Sequence, residues 1–201
     1  MTSGELKDLY RDMHQEGHFS GAGCLNYRAE IRSLVQQFDT NSVLDYGCGK
    51  GRQFRMKPIP LNHKLRVYAE SWQDALGVEY LEGYDPCYAK RAKRPRGTFG
   101  GVYCTSVLEH VMEQDVLSVL EDIFSFAEQW VFITVGTTLA KKDLPGEGNG
   151  NAHVTLKPVT WWMGQVRKIA PSNIVWAVIA EREKTATEKN SKKTASRTGV
   201  V

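Results

Sequence analysis

The chain has 201 residues, 41% of them hydrophobic, which is enough for one domain with a buried core. The net charge is +3, and residues 181–201 hold six Lys or Arg against three Glu, so the rest is formally neutral and does not predict a basic nucleic-acid-binding face. The four cysteines form no C-x-x-C pair and predict neither a zinc site nor a disulfide framework. Free cysteines, a polar N-terminus and the lack of a long apolar run favour a cytoplasmic protein without a membrane anchor.

The first 27 residues are polar with scattered aromatic and histidine side chains. Apolar residues recur there at helical spacing and predict a short amphipathic helix: Leu6, Leu9, Tyr10 and Met13. The helix either packs on the sheet edge or forms a lid, with Tyr10 and His14 facing a substrate and Gly21 and Gly23 as hinges.

Residues 43–51 read VLDYGCGKG, which is typical of a buried strand that ends in a glycine turn. Gly47, Gly49 and Gly51 leave bare backbone where a ligand can approach closely. The spacing differs from the G-x-G-x-x-G of dinucleotide-binding folds. Asp45 suits a ligand with an ammonium group and would repel a diphosphate. We therefore predict a nucleotide-like ligand, and the alternative is a turn that binds nothing.

The motif resembles the first motif of class I S-adenosylmethionine-dependent methyltransferases, especially small bacterial or phage-encoded members. The resemblance covers about residues 29–135. It implies an α/β fold with a Rossmann-like, doubly wound, mostly parallel sheet. It also implies that the turn holds the amino-acid end of S-adenosylmethionine, with Asp45 near the ammonium group directly or through water. The product would be S-adenosylhomocysteine.

A helix over residues 65–76 and a strand over residues 78–84 are expected after the turn. Asp85 ends this strand, where a carboxylate can accept hydrogen bonds from both ribose hydroxyls. The following KRAKRPRG, residues 90–97, is either a solvated loop or a contact for an anionic substrate. Few residues separate Asp85 from the next strand, so we expect the sheet to be truncated at this edge.

Residues 99–106 predict a third strand, and the VLEH that follows resembles the fourth motif of the same family. The chain departs from that motif at Gly100 and Ser106, where many relatives have Asp. His110 either takes a proton from a hydroxyl or amine nucleophile or only orients the next helix.

A helix over residues 115–129 and a buried strand over residues 130–135 come next. A long loop, residues 136–152, then leads to His153 on the expected substrate side. Trp161 either binds substrate or packs the core from a helix that begins at Pro158. Two further elements are predicted: a helix over residues 29–38, before the first strand, and a last strand over residues 174–180.

The predicted organisation is a lid over residues 1–27, a methyltransferase domain over residues 28–182 and a disordered basic tail over residues 183–201. The resemblance implies a set of cofactor-binding residues: Asp45, Gly47, Cys48, Gly49, Gly51, Asp85, Pro86, Thr105, Ser106 and Val107. Candidate catalytic residues are His110 and His153. The expected substrate-binding residues are Tyr10, His14, Glu109 and Trp161, and no metal site is expected.

The methyl acceptor is not identified, but two classes are disfavoured. Amino-methylating nucleic-acid enzymes have Asn or Asp followed by Pro-Pro and an aromatic after the third predicted strand, where this chain reads TSVLEH. C5-pyrimidine enzymes need a Pro-Cys there, whereas Tyr103 precedes Cys104. A small molecule, a sugar or a protein group is therefore preferred over a DNA base. An RNA methyltransferase, a non-catalytic cofactor-binding partner subunit and a dehydrogenase stay as alternatives.

Overall fold

A five-stranded parallel sheet forms the centre of the molecule in the computed structural model, which describes residues 1–62 and 66–181. Its strands are β1 (Ser42–Tyr46), β4 (Tyr80–Tyr84), β5 (Phe99–Thr105), β6 (Ala127–Val135) and β7 (Val175–Ala180). The order is β4-β1-β5-β6-β7, so β4 is the edge strand. The Rossmann-like sheet and its truncation at this edge are therefore confirmed.

Helices cover both faces of the sheet. The helices on the sheet are α2 (Arg28–Gln37), α3 (Trp72–Leu76), α4 (Val116–Ser125) and α5 (Val159–Ile169), and a further helix, α1 (Ser3–Gln15), lies outside these two layers. Successive residues of a strand point to opposite faces. Leu44 accordingly packs in the cluster under α4 and α5, and Val43 packs in the cluster under α2 and α3. Two separate cores thus hold the sheet rigid, and the ends of its strands can position a site.

The predicted helix over residues 65–76 is wrong in its first half. Val67–Ala69 is a strand, β3, which pairs antiparallel with β2 (Ile59–Asn62) in a separate two-stranded sheet. Ser71 then begins α3, because its side-chain oxygen accepts a hydrogen bond from the backbone N–H of Asp74 at 3.0 Å. Residue 65 lies outside the described residues.

The N-terminal helix is confirmed and begins in a capping box formed by Thr2 and Glu5. Its apolar face packs against the long loop that follows β6, with Leu6, Tyr10 and Met13 in one buried cluster with Leu144 and Ala152. A 3₁₀ segment, Ala22–Tyr27, then connects to α2. The segment over residues 1–27 is therefore built onto the side of the molecule that carries the strand ends.

The remaining predicted elements are confirmed with small differences. The helix predicted over residues 115–129 ends at Ser125, because β6 begins at Ala127. Pro158 does precede a helix, α5, and Trp162 of that helix is buried in the core. The predicted tail over residues 183–201 lies outside the described residues. None of the helices in the described part of the chain is both long and apolar enough to cross a membrane.

Candidate active site

A cavity of about 640 Å³ opens at the carboxyl ends of β1, β4 and β5. Ligands of parallel α/β sheets bind at this end of the strands. The cavity lining includes ten of the predicted site residues: Tyr10, His14, Gly47, Gly49, Asp85, Pro86, Thr105, Ser106, Val107 and His110. The structure therefore brings together predicted residues from four separate stretches of sequence.

The glycine turn after β1 requires glycine for two reasons. Gly47, Gly49 and Gly51 have φ angles of 76°, 56° and 64°, a region that other residues rarely adopt. In addition, a Cβ at Gly47 would overlap the side chain of Val107, and one at Gly49 would overlap the carbonyl oxygen of Phe19. The turn is thus tightly packed between the end of β5 and the N-terminal segment.

Asp85, at the end of β4, holds the glycine turn in place. Its Oδ2 accepts a hydrogen bond from the backbone N–H of Gly49 at 2.9 Å, and its Oδ1 accepts one from the N–H of Cys87 at 2.9 Å. His14 approaches the same carboxylate, with Nε2 3.7 Å from Oδ1. A carboxylate oxygen has two lone pairs, so Asp85 can still accept hydrogen bonds from a ligand in the cavity.

The N-terminal segment forms part of the site in a way that the sequence did not reveal. The carbonyl oxygens of Phe19 and Ser20 accept hydrogen bonds from the N–H groups of Lys50 and Arg52, both at 2.9 Å. Phe19, Ser20, Gly21 and Gly23 also line the cavity. The only local signal was the glycine-rich FSGAGC, because backbone carbonyls leave no trace in a residue pattern.

A comparison with protein families decides the class of this protein. The model of a family described as a methyltransferase domain matches residues 25–168. The chain belongs to the methyltransferase domain family. The match includes the glycine turn and the ends of β1, β4 and β5, whereas α1 lies outside it. No curated protein shows significant similarity to the chain.

Asp45 lies behind the turn of this methyltransferase. It is only 2% exposed and is not among the residues that line the cavity, which also do not include Cys48 and Gly51. Gln53 donates a hydrogen bond from Nε2 to Oδ2 of Asp45 at 2.6 Å. Burial raises the pKa of Asp45 from 3.8 to about 7, although hydrogen bonds from Tyr103 and Gln53 oppose the shift. Nε2 of Gln53 also donates to the carbonyl oxygen of Cys48 at 3.2 Å, so Gln53 links Asp45 to the turn.

His110 is the predicted catalytic residue that reaches the cavity. Its Nδ1 lies 2.8 Å from the carbonyl oxygen of Ala152, which can only accept, so Nδ1 carries the proton and Nε2 is an acceptor. Burial lowers the pKa of His110 to about 4, so the ring is neutral near pH 7. A neutral ring with Nε2 available can accept a hydrogen bond from a hydroxyl or amine in the cavity.

Glu109 and His153 lie beside His110 but do not line the cavity. Glu109 is fully buried, and its Oε1 accepts a hydrogen bond from the N–H of Gly136 at 2.9 Å. Burial raises the pKa of Glu109 to about 8. The ring of His153 lies 4.9 Å from that of His110, and its Nδ1 donates to the carbonyl oxygen of Thr138 at 2.6 Å.

Trp161 lies away from the cavity lining on α5. Its ring contacts Trp162 edge-on at 4.9 Å, and the ammonium of Lys157 lies 5.3 Å from its centre. It also packs against the core under α4 and α5. These contacts agree with the interpretation that the tryptophans of this helix pack the core.

Proposed function

We propose that this methyltransferase uses S-adenosylmethionine to methylate a small molecule. One observation supports the cofactor above all. A glycine turn that tolerates no Cβ at Gly47 or Gly49 and a carboxylate at Asp85 line the same cavity at the ends of neighbouring strands. This is the combination that a nucleoside with an amino-acid end requires, because the turn admits close approach and the carboxylate accepts from ribose hydroxyls.

The residues that line the cavity suit this cofactor. The glycine turn would hold its amino-acid end, Asp85 its ribose, and Ser106 and Val107 the part nearest β5. When bound, the cofactor supplies an electrophilic methyl group on a sulfonium. The protein then has to hold a nucleophile in line and exclude water.

The N-terminal helix covers one side of the cavity and so limits the access of water. Tyr10 and His14 line it from α1, and the ring of Phe19 contacts both of them edge-on or tilted at 5.8 and 5.1 Å. His110 faces the same space with a neutral ring. Its Nε2 orients the acceptor and takes its proton when the acceptor is a hydroxyl or an amine.

The size of the cavity supports a small acceptor. About 640 Å³ is in the usual range for small-molecule and cofactor sites. An RNA acceptor is less well supported, because the basic loop after β4 is partly engaged within the protein. Arg91 stacks on Phe54 at 4.6 Å, and Arg94 forms an ion pair with Asp122.

Calorimetric titration tests the cofactor assignment. We expect micromolar binding of S-adenosylmethionine and S-adenosylhomocysteine and no comparable binding of NAD. Gly47→Ala should weaken binding about tenfold or more, which corresponds to about 1.4 kcal/mol. Gly164→Ala is the matched control, because a Cβ at Gly164 meets no atom within 4 Å. Failure to bind either compound, or tighter binding of NAD, would overturn the proposal.

Turnover separates an enzyme from a non-catalytic partner subunit. Small hydroxylated and amino compounds are added to protein loaded with S-adenosylmethionine, and formation of S-adenosylhomocysteine is measured. We expect turnover with some of them that is lost in Gly47→Ala and kept in Gly164→Ala. Tight cofactor binding without turnover on any acceptor would favour the partner-subunit alternative.

A further inference from the structure

Three residues with metal-binding side chains converge beside the cavity. One ligand atom each of Glu109, His110 and His153 lies within 4.8 Å of the other two. Glu109 and His110 follow β5, whereas His153 follows the long loop after β6. The fold therefore brings together ligands that are distant in sequence.

Both histidines are oriented as metal-ligating histidines usually are. Each donates a hydrogen bond from Nδ1 to a backbone carbonyl, His110 to Ala152 at 2.8 Å and His153 to Thr138 at 2.6 Å. Within the described residues, Nε2 of neither ring has a hydrogen-bond partner. Such outer contacts fix the tautomer and the ring direction and leave the second nitrogen as a ligand.

Only one of the two carboxylate oxygens of Glu109 has a hydrogen-bond donor among the described residues. Its Oε1 accepts from the N–H of Gly136, but its Oε2 is buried and has no hydrogen-bond partner among the described residues. A buried polar atom without a partner costs free energy that a bound cation would recover. The carboxylate of Glu181, which accepts a hydrogen bond from Ser106, interacts electrostatically with both Glu109 and His153. This additional negative charge favours a cation.

We propose that Glu109, His110 and His153 bind one divalent transition-metal ion through Oε2 and the two Nε2 atoms. Two imidazoles and one carboxylate suit Zn²⁺, Mn²⁺, Fe²⁺ or Co²⁺ better than Ca²⁺ or Mg²⁺. Ligand atoms on one such ion lie about 3 to 4 Å apart, and each of the three residues has a ligand atom within 4.8 Å of the others, so binding through these atoms requires side-chain rotation. Three protein ligands would leave a coordination position open, and His110, which lines the cavity, would hold the ion at its edge.

The open position gives the ion a role in the reaction, and this role rests on the proposed function. With the ion bound, Nε2 of His110 is a ligand and does not take the proton of the acceptor. An acceptor hydroxyl on the metal would instead become more acidic and lose its proton to solvent. The oxygen then forms a bond to the methyl carbon while the carbon–sulfur bond breaks, and that electron pair stays on sulfur. The inferred acceptor class is therefore one with a hydroxyl that can ligate a metal. The metal site itself does not depend on this step.

Titration with Co²⁺ tests the site without the cofactor. The full-length untagged protein is treated with a chelator, freed of it, and titrated while visible absorption is recorded. We expect one Co²⁺ per chain, displaced by Zn²⁺, with no thiolate charge-transfer band. His153→Gln should weaken binding at least tenfold, and Glu109→Gln should do the same in protein with an unchanged melting profile. His18→Gln is the control, because His18 contacts Glu16 and Lys142 outside the cluster.

The outcomes separate this inference from the proposed function. Absence of saturable Co²⁺ binding, a thiolate band, or equal affinity in folded His153→Gln would overturn the metal site. Binding of Co²⁺ together with failure to bind S-adenosylmethionine would overturn the proposed function and leave the site standing. Binding of S-adenosylmethionine without binding of Co²⁺ would overturn the metal site and leave the proposed function standing.

Discussion

Tyr10 and His110 donate hydrogen bonds to the same acceptor, the carbonyl oxygen of Ala152, at 2.7 and 2.8 Å. Tyr10 belongs to α1, His110 follows β5, and Ala152 ends the loop after β6. The two rings also meet edge-on, with centres 5.2 Å apart. The N-terminal helix and the candidate base are therefore held by one oxygen atom.

Removing the Tyr10 hydroxyl tests how far this arrangement stabilises the protein. We expect Tyr10→Phe to lower the free energy of unfolding by about 1 kcal/mol, because one buried hydrogen bond is lost while His110 still satisfies Ala152. Urea denaturation measures the difference. Tyr68→Phe serves as control, since the Tyr68 side chain is 49% exposed. Equal losses in the two variants would contradict the assignment.

Asp85→Ala is expected to weaken S-adenosylmethionine binding about tenfold or more, about 1.4 kcal/mol. The substitution removes the predicted acceptor for the ribose and also the partner of the Gly49 amide. Calorimetry gives the affinity, and a thermal melt shows whether the variant is folded. Glu79→Ala, at an exposed position just before β4, should bind as the unchanged protein does. Full affinity in folded Asp85→Ala would remove this residue from the site.

Asp45→Asn should stabilise the protein at high pH. Burial raises the pKa of Asp45 from 3.8 to about 7, so between these values the folded protein keeps a proton that the unfolded chain releases. The folded state is thus favoured at low pH and loses this advantage as the pH rises through 7. The difference amounts to at most on the order of 4 kcal/mol above pH 7, because one pKa unit is about 1.4 kcal/mol.

Unfolding free energies of the two proteins at pH 4.5 and pH 8 measure this effect. The asparagine variant should gain stability relative to the native chain as the pH rises. Asp39→Asn is a suitable control, because Asp39 is exposed and asparagine tolerates its φ of 48° equally well. A pH-independent difference between Asp45→Asn and the native chain would show that Asp45 is charged in the folded state throughout this range.

The strands and the glycine turn could be predicted from sequence because they depend on local pattern. The end of β1 is indicated by a short apolar run before Gly47. The end of β4 is indicated by an apolar run before Asp85, and neither prediction needs knowledge of distant contacts. The helix expected over residues 65–76 failed because β3 found an antiparallel partner in β2, and tertiary pairing outweighed helical spacing.

The environment of the site residues could not be predicted in the same way. Asp45 was expected beside the ligand, yet Gln53 covers it. The rings of His110 and His153 meet only because the loop after β6 returns to the end of β5. Contacts of this kind join segments that are far apart in sequence, so no spacing of residue types indicates them.

The hydrogen bonds that join the N-terminal segment to the glycine turn also determine which ligands the turn rejects. The backbone N–H groups of residues 47–52 all donate within the protein: to Tyr84, Asp85, Phe19, Cys48 and Ser20. A loop that binds phosphate needs such amides free to point at the anion. Here the carbonyl oxygens of Phe19 and Ser20 accept hydrogen bonds from the amides of Lys50 and Arg52, so these amides are not free to bind an anion. The carboxylate of Asp85 lines the cavity nearby. The turn therefore offers a nucleotide phosphate no free backbone donor.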